Sequence, residues 1–256
     1  MRIAVKVGTS TLTYDTYRIN IRRVEALCKV LADVKNMGHE VILVSSGAIA
    51  MGSGKLHLAA RPTDMPTKQA AAAVGQCELM YVYDDLFSHF NHTVGQVLLT
   101  GTDVNDEDRR NHFCDTMNRL LQLGVIPIIN ENDTITTEEI RFGDNDTLAA
   151  IVATNVNCDI LIILSDIDGL YDADPRTDKN AKLLHQVPVV TPEIEALAGR
   201  HGSKLGTGGM VTKLAAAKIC IAGGVQMVIA NGADPANVYG ILEGKPIGTV
   251  FGEKKL

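Results

Sequence analysis

"RIAVKVGTSTLTYDTYRINIRRVEALCKVLADVKNMGHEVILV", residues 2 to 44, decides the fold. It opens on the apolar, β-branched run "RIAVKV". After a loop, Ile21, Val24, Leu27, Leu31 and Val34 recur at helical spacing until Gly38, and "VILV" follows as a second β-branched run. That is a strand, a helix and a strand. The rhythm continues with a helix predicted over about 68–87, a strand "TVGQVLLT", a helix over about 109–123 and a strand "VIPIIN". A helix over about 144–155, a strand "DILIILS", a helix over about 208–222 and a strand "QMVIA" complete it. Strands alternating with helices imply an α/β chain with a mostly parallel sheet covered on both faces. No repeat, charge block or Ser/Gly linker interrupts the pattern, so the expectation is one domain over 1–256. Long loops near 52–67 and 172–207 are expected to be functional or mobile.

Composition narrows the function. Hydrophobic residues make up 46% of the 256 residues and charged residues 21%, and 24 Lys plus Arg against 30 Asp plus Glu give a formal charge of −6. A mild acidic excess provides no electrostatic footprint for nucleic acid or an anionic membrane, and neither is expected as a partner. Five scattered cysteines, Cys28, Cys77, Cys114, Cys158 and Cys220, show no C-x-x-C spacing and read as buried thiols in a reducing cytosol. The N-terminus "MRIAVKVGTS" lacks a stretch of signal-peptide length, and no run of 18 apolar residues occurs, so a cytoplasmic location is expected.

In open parallel sheets ligands sit beyond the carboxyl ends of the strands, so those ends carry the functional information. Here they read "KVGTS", "SSGAIA", "NEND" and "LSDIDGLYD", and the last long helix opens "GTGGM". Glycines at such ends let backbone N–H groups approach an anion, and a helix N-terminus adds partial positive charge, which suggests a phosphate ligand. Lys6 shares its strand face with Ala4 in a strand expected to be central, where lysine is rarely buried without a partner. The bland alternative is a strand-end lysine reaching solvent. Lys213 lies on the margin of the stripe Met210, Leu214, Ala217 and Ile221, one turn after Gly208 and Gly209; on its own helix it would more often snorkel to the surface.

Ser46 after "VILVS" reads either as a helix cap or, with Gly47, as a grip on a substrate carboxylate. Asp144, Asn145 and Asp146 open a helix, where one such residue suffices as a cap and three are excessive. A second acid-amide cluster, Asn130 to Asp133, lies just upstream, joined to the first by "TITTEEIRF", expected to be a mobile loop. Three decoys fail. "GSGK" at 52–55 lacks the Gly at 49 and the Ser or Thr at 56 of a phosphate-binding Walker loop. "DIDGLYDAD" has its Gly misplaced for a calcium loop and lacks the closing Glu. The seven histidines show no zinc-ligand spacing.

In this order, "KVGTS", "SSGAIAMG", "AAVGQ", "QVLLT", "IPIINENDT", "FGDNDTLAA", "LSDIDGLYDADPR" and "GTGGMVTK" resemble the glutamate 5-kinases of the amino acid kinase family, from about residue 2 to about 250. The resemblance implies a three-layer α-β-α sandwich whose first part, to about residue 155, binds L-glutamate and whose remainder binds ATP. It implies transfer of phosphate from ATP to glutamate, giving γ-glutamyl phosphate for proline synthesis. By motif, Lys6 and Lys213 would stabilise the transferring group and Asp146 would organise both. Ser46, Gly47, Asp133, Asp144 and Asn145 would bind glutamate, with Lys6, Gly8, Ser165, Asp166, Thr207, Gly208, Gly209, Met210, Val211, Thr212 and Lys213 around the nucleotide. Feedback inhibition by proline, a homo-oligomer (dimer or tetramer) and hand-off to glutamyl phosphate reductase are further implications. Many members carry a C-terminal RNA-modification-type PUA domain; this chain stops soon after "GTVF", and the expectation is that it lacks one.

The chemistry is consistent with strand ends lacking histidine. A γ-carboxylate with a reference pKa of about 4.3 is already the nucleophile at neutral pH and needs no general base. What remains is in-line positioning and charge compensation, supplied by two lysines, N–H donors and magnesium. Magnesium is expected on the ATP phosphates, with no dedicated protein site. Asp133 with Asn145 suits the α-ammonium of a free amino acid; N-acetylglutamate would leave that acid without a cation. N-acetylglutamate, aspartate or carbamate as acceptor, or a non-catalytic ATP or amino-acid sensor, stand as alternatives.

Overall fold

The computed structural model describes residues 1–136, 144–199 and 209–253. β1 (Arg2–Val7) leads through one helical turn, α1 (Thr9–Leu12), to α2 (Ile21–Asn36) and β2 (Glu40–Val44). Then come α3 (Ala48–Lys55), α4 (Met65–Ser88), β3 (Val94–Leu99), α5 (Gly101–Asn105), α6 (Glu107–Gln122) and β4 (Ile126–Glu131). The second half carries α7 (Asn145–Asn155), β5 (Ile160–Ser165), β6 (Gln186–Val187), α8 (Pro192–Gly199), α9 (Met210–Ala222), β7 (Gln226–Asn231), α10 (Asn237–Leu242) and β8 (Thr249–Phe251).

The described strands form one sheet in the order β3-β4-β2-β1-β5-β7-β8-β6. Only β7 and β8 pair antiparallel among them, so the mostly parallel sheet expected from the alternating pattern is what forms. Strands from the first half fill one side of the β1/β5 boundary and strands from the second half the other. Side chains alternate across the sheet and build two cores, giving the three layers. Ile3, Val5 and Val7 join Leu27 and Leu31 of α2, Leu79 and Tyr83 of α4 and Ile241 of α10. Ala4 joins Met117 of α6, Leu148 of α7, Ala198 of α8 and Leu214 of α9. Lys6 has the parity of Ala4 and therefore projects toward the layer that holds α7 and α9.

The structure corrects several local expectations. Residues 52–67 are not one long loop, because α3 runs to Lys55 and α4 begins at Met65, capped by the Asp64 side chain on Thr67 N–H (2.9 Å). Residues 172–199 carry β6 and α8, too short for a sequence pattern to announce, while 200–207 lie outside the described residues. Ile21, first in the predicted α2 stripe, is exposed at the helix start. Of the five cysteines, Cys28, Cys158 and Cys220 are buried, but Cys77 is exposed and Cys114 half-buried. Cys77 falls off the buried face of α4, whose inward positions include Ala72, Gly75, Gln76 and Leu79.

The "GSG" that opens the expected loop and fails as a Walker loop lies in α3 and serves as a contact surface. A Cβ on Gly52 would lie 1.8 Å from the Ala71 carbonyl oxygen, and one on Gly75 would lie 1.8 Å from that of Ala48. α3 and α4 thus cross backbone against backbone, as only glycine allows. Gly75→Ala and Gly52→Ala are each expected to destabilise the protein by about 1–3 kcal/mol or more, as overpacked cores do. Chemical denaturation checks this; a variant as stable as the parent would show that the crossing opens freely.

Candidate active site

Three charged side chains meet where the sheet parity points them. Lys6, the penultimate residue of β1, is 7% exposed. Its Nζ lies 2.7 Å from Asp146 Oδ1. Lys213, in the first turn of α9 and 5% exposed, places Nζ 3.1 Å from Asp146 Oδ2. Asp146, in the first turn of α7, is 0% exposed. The Thr212 hydroxyl lies 3.1 Å from the same Oδ2 and 2.7 Å from the Gly209 carbonyl, and with one proton it serves one of them at a time. Burial pushes the Asp146 carboxyl up, but the Lys6 and Lys213 charges and hydrogen bonds outweigh it and hold the group below the ordinary carboxylate range. Two cations on one anion leave an excess of one positive charge in a dry site. That excess suits a phosphate.

The three residues that looked excessive as caps divide the work. Asp144 is the N-cap of α7, its Oδ1 accepting from Asp146 N–H (2.7 Å) and Thr147 N–H (2.9 Å). Burial raises its carboxyl above the usual range despite the Thr147 hydrogen bond. Asp146 turns inward to the lysines. Asn145 turns the other way, its Nδ2 reaching Ser45 O (2.8 Å), Ser46 Oγ (2.8 Å) and Asn130 Oδ1 (2.9 Å). The strand ends of β2 and β4 are thereby tied to the start of α7.

The remaining expected residues fall around this centre. Ser46 does not cap α3: the N-cap is Gly47, at φ 101°, a left-handed conformation that favours glycine. The Ser46 oxygen accepts from Asn145 instead, which leaves its own proton free to donate. Asp133 stands half-buried in the turn two residues beyond β4. Gly8 follows β1, and a Cβ there would sit 3.7 Å from Lys6 Nζ. Ser165 ends β5 with its hydroxyl on Asp166 Oδ1 (3.1 Å), and Asp166 itself is exposed. Gly209 caps α9; the Met210 side chain belongs to the core, so its offer to a ligand is its backbone, while Val211 is exposed. Thr207, Gly208 and most of the loop "TITTEEIRF" lie outside the described residues. Two residues outside the expected set belong to the cluster. Asn130 is buried at its centre, and Gln76 of α4 holds Asn130 from behind, Nδ2 to Oε1 at 2.9 Å. Asn130 was visible in the acid-amide cluster; Gln76 had no signal beyond the quoted "AAVGQ".

Among the described residues, no group of three or more His, Cys, Asp or Glu side chains is arranged to hold a metal ion, and no helix is long and apolar enough to cross a membrane.

The depressed carboxyl of Asp146 has a consequence for acid stability. A group whose folded pKa is lowered contributes stability above its unfolded pKa of about 4 and loses it as pH falls through the folded value. The melting-temperature advantage of the parent over Asp146→Asn is therefore expected to be largest near neutrality and to shrink below about pH 4. Thermal unfolding of both across pH 2 to 8 checks this; a pH-independent difference would remove Asp146 from the titration.

Comparison with known proteins agrees with the geometry. The family model described as the amino acid kinase family matches residues 1–231. A glutamate 5-kinase of Clostridium perfringens is 54% identical over 99% of this chain and 96% of its own length. One from Listeria welshimeri is 51% identical over 99% and 94%, and one from Thermoanaerobacter sp. is 51% identical over 98% of this chain and 68% of that longer protein. Among solved structures, an isopentenyl phosphate kinase of T. acidophilum superposes with a TM-score of 0.66 at 16% identity, covering 98% of this chain and 100% of that one. A UMP kinase from Ureaplasma parvum superposes with a TM-score of 0.66 at 15% identity, covering 98% of each; both likenesses concern the fold alone. The chain belongs to the amino acid kinase family, in its glutamate 5-kinase group.

Proposed function

We propose that the chain transfers the γ-phosphoryl group of ATP to the γ-carboxylate of L-glutamate, giving L-glutamyl 5-phosphate, the first step of proline biosynthesis. The observation that carries this is the fully buried Asp146 carboxylate held between the Lys6 and Lys213 ammonium groups. Phosphoryl transfer to an ionised carboxylate asks for positioning and charge compensation rather than a base, and the lysine pair provides the second. Asp146 keeps the two ammonium groups from repelling one another apart. Magnesium, carried on the nucleotide phosphates, supplies further charge compensation when bound; the donor set fits this, since Asp146 is committed to two lysines and Asp144 to a helix cap.

Glutamate is assigned to the half built by β3, β4 and β2, and ATP to the half built by β5 and β7, with Lys6 on the boundary strand. On the glutamate side, Asn145 has committed its Nδ2 to protein acceptors, and no hydrogen bond to its Oδ1 forms among the described residues. An amide oxygen is an acceptor, which suits the α-ammonium together with Asp133. The Ser46 proton and the N–H groups at the start of α3 suit a carboxylate. On the nucleotide side, Gly8, Ser165, Asp166 and the start of α9 at Gly209 to Lys213 surround the phosphates, and Thr207 and Gly208 are assigned there by motif. A homo-oligomer and proline as inhibitor belong to the same proposal.

Offered ATP and magnesium with L-glutamate, N-acetylglutamate, aspartate or carbamate, the protein is expected to release ADP fastest with L-glutamate; preference for another acceptor would overturn the assignment. Lys6→Ala and Lys213→Ala are each expected to lower kcat by roughly two to four orders of magnitude while the protein stays folded, as for loss of a preorganised charge-stabilising group. Near-normal turnover in either would sink the role of the pair. Asp133→Ala is expected to raise the KM for glutamate at saturating ATP with little change in kcat, and an unchanged KM would remove Asp133 from the substrate site.

A further inference from the structure

Gln76 is 7% exposed and uses only half of its amide. Oε1 accepts from Asn130 Nδ2 at 2.9 Å, while the buried Nε2 has no partner among the described residues. The direction of this amide is not arbitrary. The Ser45 carbonyl can only accept, so the Asn145 atom facing it is Nδ2. The Glu131 N–H can only donate, so the Asn130 atom 2.9 Å from it is Oδ1, the atom that also receives Asn145 Nδ2. Backbone groups thus set the polarity at both ends. The Asn130 Nδ2 group must then find an acceptor although the side chain is 2% exposed, and Gln76 Oε1 takes one of its protons. Turning the Gln76 amide to satisfy Nε2 would set donor against donor. A leucine or methionine of similar size would fill the same space without an orphaned donor. The orphan therefore marks a site where an acceptor is needed at a desolvation cost.

We propose that Gln76 is a positioning residue for substrate selection. It holds Asn130, Asn130 holds Asn145 with Nδ2 turned inward, and Asn145 Oδ1 is thereby presented to the α-ammonium of the acceptor. The inference rests on the assignment of Asn145 to the ammonium made above. Its consequence is specificity: an acceptor with a free ammonium is favoured over its N-acylated counterpart because an oxygen, and not an N–H, faces it. Without the Gln76 acceptor, Asn130 carries a buried unpaired N–H that is relieved only by leaving its place. Asn145 then loses one of the three acceptors that share its two Nδ2 protons and is held only by Ser45 and Ser46.

The test compares Gln76→Met, which removes both heteroatoms at similar size, with Gln76→Glu, which keeps an acceptor. In Gln76→Met the KM for L-glutamate is expected to rise roughly tenfold, the loss of one buried hydrogen-bonding partner, with the KM for ATP within about twofold. The kcat/KM preference for L-glutamate over N-acetylglutamate is expected to fall by a similar factor, and Gln76→Glu is expected to restore most of both. An unchanged KM for glutamate, an equal rise in both KM values, or a Gln76→Glu variant as impaired as Gln76→Met overturns the proposal. One measurement stands apart from turnover and from the folding of any variant. In the parent protein, NMR is expected to find the Asn130 side-chain amide protons protected from solvent exchange, and fast exchange there overturns the relay. A parent protein that ignores glutamate while those protons are protected strikes the assigned reaction and the link to the ammonium, and leaves the amide chain itself standing.

Discussion

A single buried carboxylate, Asp146, carries two ammonium groups, and the arrangement of the carboxyl end of the sheet depends on it. Removing a charge from water costs several kcal/mol per ion even after the protein relaxes, and the mutual attraction repays this only with good geometry. The geometry is good here because each carboxylate oxygen takes its own lysine, at 2.7 and 3.1 Å. The result is an ion triad with one positive charge in excess. It would be a poor choice for stability alone, since a well-packed apolar trio is often the better core. It is a good choice for meeting a polyanion.

The triad draws on three separate elements, and the fold decides that they meet. β1 lies at the centre of the sheet, so the side chain of Lys6 has no lateral route to solvent. α7 and α9 pack on the same face, and their N-termini lie beyond the strand ends. Asp146 and Lys213 each occupy the first turn of their helix. One residue earlier in α7, Asn145 faces the opposite way and ties the ends of β2 and β4 together. The helix start therefore joins both sides of the sheet end: its acid serves the lysines and its amide ties the ends of β2 and β4. The glycine-backed crossing of α3 and α4 sets the rear wall, placing Gln76 within reach of Asn130.

The strand-helix alternation, the central place of β1 and the two-sided burial were legible because the side-chain period of a strand is 2 and that of a helix 3.6, and both survive in any fold. Lys6 and Lys213 stood out because lysine on an apolar face needs a partner. The surplus of capping residues at 144–146 was legible as a surplus, since a helix start needs only one cap. Less was visible in the short elements. A two-residue strand such as β6 has no period to detect, and the glycines of "GSGK" show no helical stripe unless the facing helix is known.

Composition, periodicity and the chemistry of strand ends determined the α/β class, the parallel sheet, the polar, glycine-rich end of the sheet and the residues to watch. The motif resemblance already pointed Asp146 at the lysines; tertiary structure alone decided that Asn145 ties the ends of β2 and β4, that Ser46 receives an amide rather than capping a helix, and that Gln76 stands behind Asn130. The reason is physical. Asp144 caps the helix from an extended backbone and Asn145 and Asp146 differ by about 100° around its axis, and which direction meets a cation or an amide is set by elements distant in sequence.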